Sequence, residues 1–352
     1  MAYTTIDKPT DYFNTVLWSG NSSTQSVTGV GFQPDFVWVK NRSISQPHIV
    51  QDIVRGKSGS NFQYLFTDRT DAEAVQPDND GIQSFDTDGF SMNHTDSGGW
   101  NESGSNYVGW NWKAGGSASS NTDGSITSSV SANTTAGFSI VSYTGNGTGG
   151  ATIGHGLGVS PSWIVTKKRS ATGSWVVYHK SQGATKYGIL DTTASFGTSS
   201  SLWNDTEPTS SVFSVGTDAD TNGSSATFIA YCFAEKKGYS KFGSYVGNGT
   251  SGVDGAGDGT FVYTGFKPAM IIIKPSSAVE NWQILDNKRP GFNESDNLAP
   301  NNSAAENTGN DFVDLVSNGF KLRSGTYSAS GVTYIYMAFA ENPFVTSTGI
   351  PT

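Results

Sequence analysis

The chain has 352 residues, a net charge of −9 and only 14% charged side chains, so it lacks the clustered Lys and Arg that nucleic acid or an anionic membrane surface demands. Aromatic residues make up 12% beside 43 Gly, which excludes a disordered chain and points to short strands joined by many turns. A single cysteine, Cys232, excludes an intrachain disulfide, and no apolar run approaches the ~20 residues of a membrane span.

The start, Met1-Ala-Tyr-Thr-Thr-Ile-Asp7, has no basic region followed by an apolar stretch, so folding in a cytosol without a cleaved leader is expected. The first predicted strand ends in Leu17-Trp-Ser-Gly-Asn21. Pro34-Asp-Phe-Val-Trp-Val-Lys40 follows, then His48-Ile-Val-Gln-Asp52, Gly89-Phe-Ser-Met92 and Tyr107-Val-Gly-Trp-Asn-Trp112. All are short β-branched and aromatic runs bounded by Gly, Asn, Asp, Ser or Pro. Residues 116–136 are mostly small and polar and read as a linker, with Gly124-Ser-Ile-Thr-Ser-Ser-Val130 available as an added strand.

Beyond this stretch the same series returns twice. Ser142-Tyr-Thr-Gly-Asn146 and Ser244-Tyr-Val-Gly-Asn248 repeat the opening element. Pro161-Ser-Trp-Ile-Val-Thr-Lys167 and Pro268-Ala-Met-Ile-Ile-Ile-Lys274 repeat the run that ends in lysine. Trp175-Val-Val-Tyr-His179 and Trp282-Gln-Ile-Leu-Asp286 come next, and Lys40 to Asp52, Lys167 to His179 and Lys274 to Asp286 are each twelve residues. Val212-Phe-Ser-Val215 and Gly319-Phe-Lys-Leu322 repeat Gly89-Phe-Ser-Met92, and Phe228-Ile-Ala-Tyr-Cys-Phe233 and Tyr334-Ile-Tyr-Met-Ala-Phe339 close the second and third series. Five elements in one order predict an all-β chain of three tandem homologous β-sandwich (jelly-roll-like) units: 1–115, then the 116–136 linker, 137–238 and 239–352. Continuous apolar runs such as Met270-Ile-Ile-Ile273 predict strands covered on both faces. Asp311-Phe-Val-Asp-Leu-Val316 has an apolar spacing that suits one helical turn.

The chemistry-bearing residues are sparse. His48, His94, His155 and His179 show no metal-ligand spacing, and no nucleophile elbow or phosphate-binding loop occurs. Asp52 and Asp286 occupy matching places, which suits a structural hydrogen-bond partner better than a catalyst, so no catalytic residue is expected. Calcium is the one cofactor the residues suggest. Asp218, Asp220 and Asn222 precede Gly223 with the oxygen spacing of the first half of a calcium loop, although Ile229 stands where the closing glutamate belongs. Asp78, Asp80, Asp86 and Asp88 form a second acidic group. Trp18, Trp100 and Trp203 lie in or beside polar segments and are the candidates for stacking on sugar rings. Cys232, inside a predicted strand, reads as a buried inert thiol.

Asn121-Thr-Asp-Gly-Ser-Ile-Thr127, Ala132-Asn-Thr-Thr-Ala-Gly-Phe-Ser-Ile-Val141, Ile153-Gly-His-Gly-Leu-Gly158, Val177-Tyr-His-Lys-Ser181, Tyr239-Ser-Lys-Phe-Gly-Ser-Tyr245 and Tyr334-Ile-Tyr-Met-Ala-Phe-Ala-Glu341 resemble a family of marine bacteriophage structural proteins, usually labelled tail-fibre-like or of unknown function. The resemblance implies a place on a virion and carries no catalytic motif. The expected role is a tail-associated fibre or adhesin subunit that contacts host-surface glycan. A capsid decoration or head-fibre protein is the alternative, and a polysaccharide depolymerase the third reading. The partners it implies are other virion proteins and a host surface glycan or receptor, within a homo-oligomer such as a homotrimer, with no nucleic acid and no membrane insertion.

Overall fold

A computed structural model describes residues 3–76, 80–93, 99–249, 257–289, 296–309 and 311–352. Strands dominate it, and the helical segments among the described residues are single turns such as Ser200–Trp203 and Ala219–Asn222. Three large antiparallel sheets follow one another along the chain. In the N-terminal sheet, the opening strand Phe13–Ser19 pairs with the closing strand Asn106–Trp112, which pairs with Phe36–Asn41, which pairs with Ile49–Asp52. The middle sheet has the same order: Phe138–Thr144, Thr227–Phe233, Trp163–Lys168, Trp175–His179. The C-terminal sheet repeats it with Ser240–Val246, Thr333–Pro343, Phe266–Pro275 and Gln283–Asp286.

A smaller sheet lies with each large one. These are Gln25–Thr28, Gly89–Asn93 and Gly81–Asp86; then Ala151–Gly154 with Val212–Val215; then Phe261–Tyr263, Gly319–Leu322 and Val313–Val316. The segment read as a possible helical turn thus includes the strand Val313–Val316. Its alternation packs Val313 inward in a ladder with Gly319–Leu322, and a pairing edge outweighs a weak helical spacing. Residues 116–136 are likewise not a free linker. Ser119–Asn121 and Ser128–Asn133 extend the middle sheet by pairing in turn onto Phe138–Thr144, and Val130 is buried.

Period-two alternation explains why the central strands read as unbroken apolar runs. Phe36 and Trp38 face one core while Val37 and Val39 face another. Met270 and Ile272 alternate in the same way with Ile271 and Ile273, and Ile229, Tyr231 and Phe233 with Phe228, Ala230 and Cys232. One set of faces from all three large sheets meets in a single shared core that holds Trp110, Trp112, Trp163, Trp175 and Trp282. The opposite faces pack into three separate cores, one for each sheet and its smaller partner. Burying each such ring contributes roughly 1.5–3 kcal/mol, so the shared core is the main source of cohesion between sheets.

The recurrent Gly-Asn turn after each opening strand has a steric cause. A Cβ on Gly20, Gly145 or Gly247 would stand 2.1, 2.5 or 2.1 Å from a backbone carbonyl oxygen of the loop crossing it. In each turn the following asparagine N–H donates to a side chain of that loop, from Asn21 to Asn101 Oδ1, Asn146 to Asn222 Oδ1 and Asn248 to Ser328 Oγ.

Candidate functional site

Each large sheet touches the other two, and at each seam the recurrent polar residues are spent. Lys40, Lys167 and Lys274 each send a buried ammonium across a seam. Lys40 Nζ donates to Ser303 O at 3.2 Å, Lys167 Nζ to Thr70 O at 3.0 Å and Lys274 Nζ to Thr193 O at 2.9 Å. The three contacts form a closed cycle: N-terminal to C-terminal, middle to N-terminal, C-terminal to middle. Burial, the largest influence, lowers each of these lysines to about 8.

The carboxylates in matching places follow the same cycle. Asp52 is fully buried; it pairs with Arg55 and accepts a hydrogen bond from Tyr231 Oη of the middle sheet at 2.8 Å. Asp286 pairs with Arg289 at 2.7 Å and accepts from Trp110 Nε1 of the N-terminal sheet at 2.8 Å. Glu73 then bridges Arg55 and Arg169, and Glu306 bridges Arg289 and Arg42, so each network is completed by an arginine from the neighbouring sheet. Buried charges arranged in this way satisfy one another and leave no free group for chemistry.

The third seam, between the middle and C-terminal sheets, is built differently. His179 takes the place of the aspartate, and Met337 stands where Tyr231 and Trp110 stand in the other two closing strands. Its Nδ1 accepts from Ser181 N, so the proton sits on Nε2, which donates to Tyr336 O at 3.3 Å. Burial lowers His179 to about 3, keeping it neutral. Phe196 N donates to Ser276 O where Glu73 N and Glu306 N donate to Arg169 O and Arg42 O. A methionine cannot donate to a carboxylate, so a neutral imidazole replaces the acid. The space left by an absent arginine is a hydroxyl-lined surface cleft of about 340 Å³ between Gln182, Phe196 and Ser276.

A second cavity, of about 260 Å³, opens beside the N-terminal sheet between Gln46, Tyr64, Phe66, Arg69, Asp80 and Trp100. Tyr64 and Phe66 come from the strand Asn61–Phe66, which pairs onto Ile49–Asp52 and puts alternate rings on one face. Their centroids are 5.1 Å apart at 70°, and Tyr64 meets Trp100 at 6.5 Å and 89°. The Arg69 guanidinium lies 4.7 Å above the Phe66 ring and is 3.9 Å from Asp71, a loose pairing. Trp100 Nε1, Tyr64 Oη and the Gln46 amide make no hydrogen bond within the chain among the described residues, and the first two are not sealed from solvent. Burial, followed by the Asp80 carboxylate, raises the Tyr64 hydroxyl, so it remains a neutral donor.

The other sequence candidates fall elsewhere. Asp218 caps the turn Ala219–Asn222 by accepting from Asp220 N, and Asp220 pairs with Lys168 at 3.0 Å. Asn222 donates to Thr148 O and Gly216 O while its Oδ1 accepts from Asn146 N. The three oxygens proposed for calcium are therefore a helix cap, an ion pair and a turn staple. No group of three or more His, Cys, Asp or Glu is placed to hold a metal among the described residues. In the second acidic group, Asp86 accepts from Ser84 and Ser91, Asp88 from Gly29 N and Gly31 N, and Asp80 lines the cavity; Asp78 and His94 lie outside the described residues. Trp18 sits in the opening strand stacked on Tyr107, and Trp203 is 2% exposed; both indole N–H groups are buried without partners. Trp100 alone of the three tryptophans lines one of these cavities, and at 4% exposure it offers an edge and not a face. The sequence reading missed Gln46, Tyr64, Phe66 and Arg69. Their signal is that the Asn61-Phe-Gln-Tyr-Leu-Phe66 strand has no aromatic-rich counterpart in the other two series.

Residues 8–343 match a family described as a domain of unknown function (DUF7483). The chain belongs to this family. The DUF7483 match runs without a break through all three large sheets, the ring of seams and the N-terminal cavity. No curated protein and no solved structure matches the chain.

Proposed function

We propose that the chain is three copies of one β-sandwich (jelly-roll-like) unit closed into a pseudo-threefold ring, and that it serves as a virion structural protein: a tail-associated fibre or adhesin subunit that contacts host-surface glycan. The observation that carries this reading is the division of labour among its polar residues. Those that recur in register are consumed in holding the seams, while those that line the N-terminal cavity occur in one copy and keep unspent donors. Rigid scaffold with variable recognition at one place is the economy of a binding module, not of a catalyst. The resemblance to marine phage structural proteins supports the virion placement. Stability without disulfides and an acidic, turn-rich surface suit a particle exterior.

A second reading, capsid decoration, is favoured by the closed cycle of lysine contacts. A single chain with three near-equivalent sides matches a position of threefold local symmetry, and needs no homotrimer to do so. Antibody against the purified chain, imaged on purified phage particles, separates the two. Label at the tail is the expected result. Label spread over capsid faces transfers the assignment to decoration, and unlabelled particles end the virion reading.

A further inference from the structure

We infer that the cavity between Trp100, Tyr64 and Gln46 holds one neutral pyranose ring of a surface glycan. This rests on the glycan-contact reading above and assigns it a place and a ligand class. The volume, about 260 Å³, falls just below the roughly 300–1,000 Å³ of drug-sized pockets, which fits one sugar ring and not an oligosaccharide. The walls pair two aromatic rings with polar groups, as a ligand with apolar ring hydrogens and equatorial hydroxyls requires. Trp100 Nε1, Tyr64 Oη and the Gln46 amide offer donors that no described residue satisfies. Arg69 adds further N–H groups, with no tighter ion pair among the described residues than Asp71 at 3.9 Å. A sugar hydroxyl both donates and accepts, so it satisfies these N–H groups and the Gln46 amide oxygen at once.

Charge selects a neutral sugar over an acidic one. Arg69 is offset by Asp71 beside it, and the chain carries −9 overall. Trp100 enters this scheme through its indole edge, because its faces are packed in the core of the N-terminal sheet. Orientation therefore comes from its N–H, and stacking area comes from Tyr64.

The test uses the full chain on an array of neutral homopolymers of glucose, mannose and galactose beside polymers of galacturonate. Wild type is compared with Trp100→Phe, which keeps ring area and removes the N–H, with Gln46→Ala, and with the remote control Lys186→Ala; near-UV circular dichroism verifies folding. The expected result is binding to at least one neutral polymer, competed by its methyl pyranoside. Trp100→Phe and Gln46→Ala each weaken it about tenfold or more, and Lys186→Ala leaves it unchanged. Undiminished binding in both cavity variants overturns the assigned place while glycan contact stands. Binding confined to galacturonate overturns the neutral class. An array with no bound glycan at all overturns both the cavity assignment and the glycan reading.

Discussion

Tyr231→Phe tests whether the seams are held by matched pairs across sheets. The hydroxyl donates to Asp52 Oδ2 at 2.8 Å in a place where both side chains are buried. Removing it leaves the Arg55 pairing and the backbone N–H groups of Val54 and Arg55, so the carboxylate keeps most of its partners and loses one. A hydrogen bond to a charged group contributes about 1.5–3 kcal/mol, and the phenyl ring retains the packing, so the expected loss is about 2 kcal/mol. Guanidinium unfolding followed by tryptophan fluorescence measures it. The third seam supplies the stricter arm. Tyr231→Met should cost more than Tyr231→Phe, and adding Asp52→His together with Arg55→Gln should recover part of that loss, because the three then copy Met337, His179 and Gln182 and leave no buried arginine unpaired. A mutant cycle between Tyr231→Met and the Asp52 and Arg55 changes taken together isolates the coupling. A Tyr231→Phe loss below about 0.5 kcal/mol, or a combined variant whose losses simply add, would refute the matched-pair account of the seams.

The three seam lysines set an unusual alkaline response. Their folded values are about 8 against 10.5 unfolded, so the unfolded chain binds more protons between those limits and stability rises with pH from about 8. Each proton contributes about 1.4 kcal/mol per pH unit until buried tyrosines such as Tyr178 and Tyr336, raised by burial, reverse the trend above about 10. Denaturant midpoints that fall steadily between pH 8 and 9.5 would contradict this. His179 works at the acid end: its folded value of about 3 lies below the ordinary 6.5, so stability falls as pH drops through 6.5, and His179→Gln should make that limb shallower while His48 and His155, also lowered by burial, keep the remainder. Because Asp218, Asp220 and Asn222 are already engaged, the thermal midpoint should be the same with and without a calcium chelator; a drop on chelation would restore the calcium loop. Cys232 is fully buried and burial raises its thiol, so a thiol reagent should label it only in denaturant; labelling of the native chain would place it at a surface.

Local pattern alone determined which segments become strands here. Phe36–Asn41, Trp163–Lys168 and Phe266–Pro275 were legible because a β-branched and aromatic run bounded by turn residues has few alternatives, and their unbroken apolar character already implied cover on both faces. The Gly-Asn turns were legible for the same local reason. What covers each face was not local. That Trp110, Trp163 and Met337 meet in one core shared by three sheets depends on contacts between residues more than fifty positions apart, which period and composition do not encode. The same gap misplaced the functional candidates. Asp220 has the spacing of a metal ligand, yet tertiary structure sets Lys168 against it, and Trp203 has a polar sequence neighbourhood but a buried ring. Tyr64, Arg69 and Trp100 carry no shared motif, and the pairing of Asn61–Phe66 onto Ile49–Asp52 is what gathers them around one cavity. An element follows from its own residues and the turns beside them, whereas a site follows from which elements the folded chain brings together.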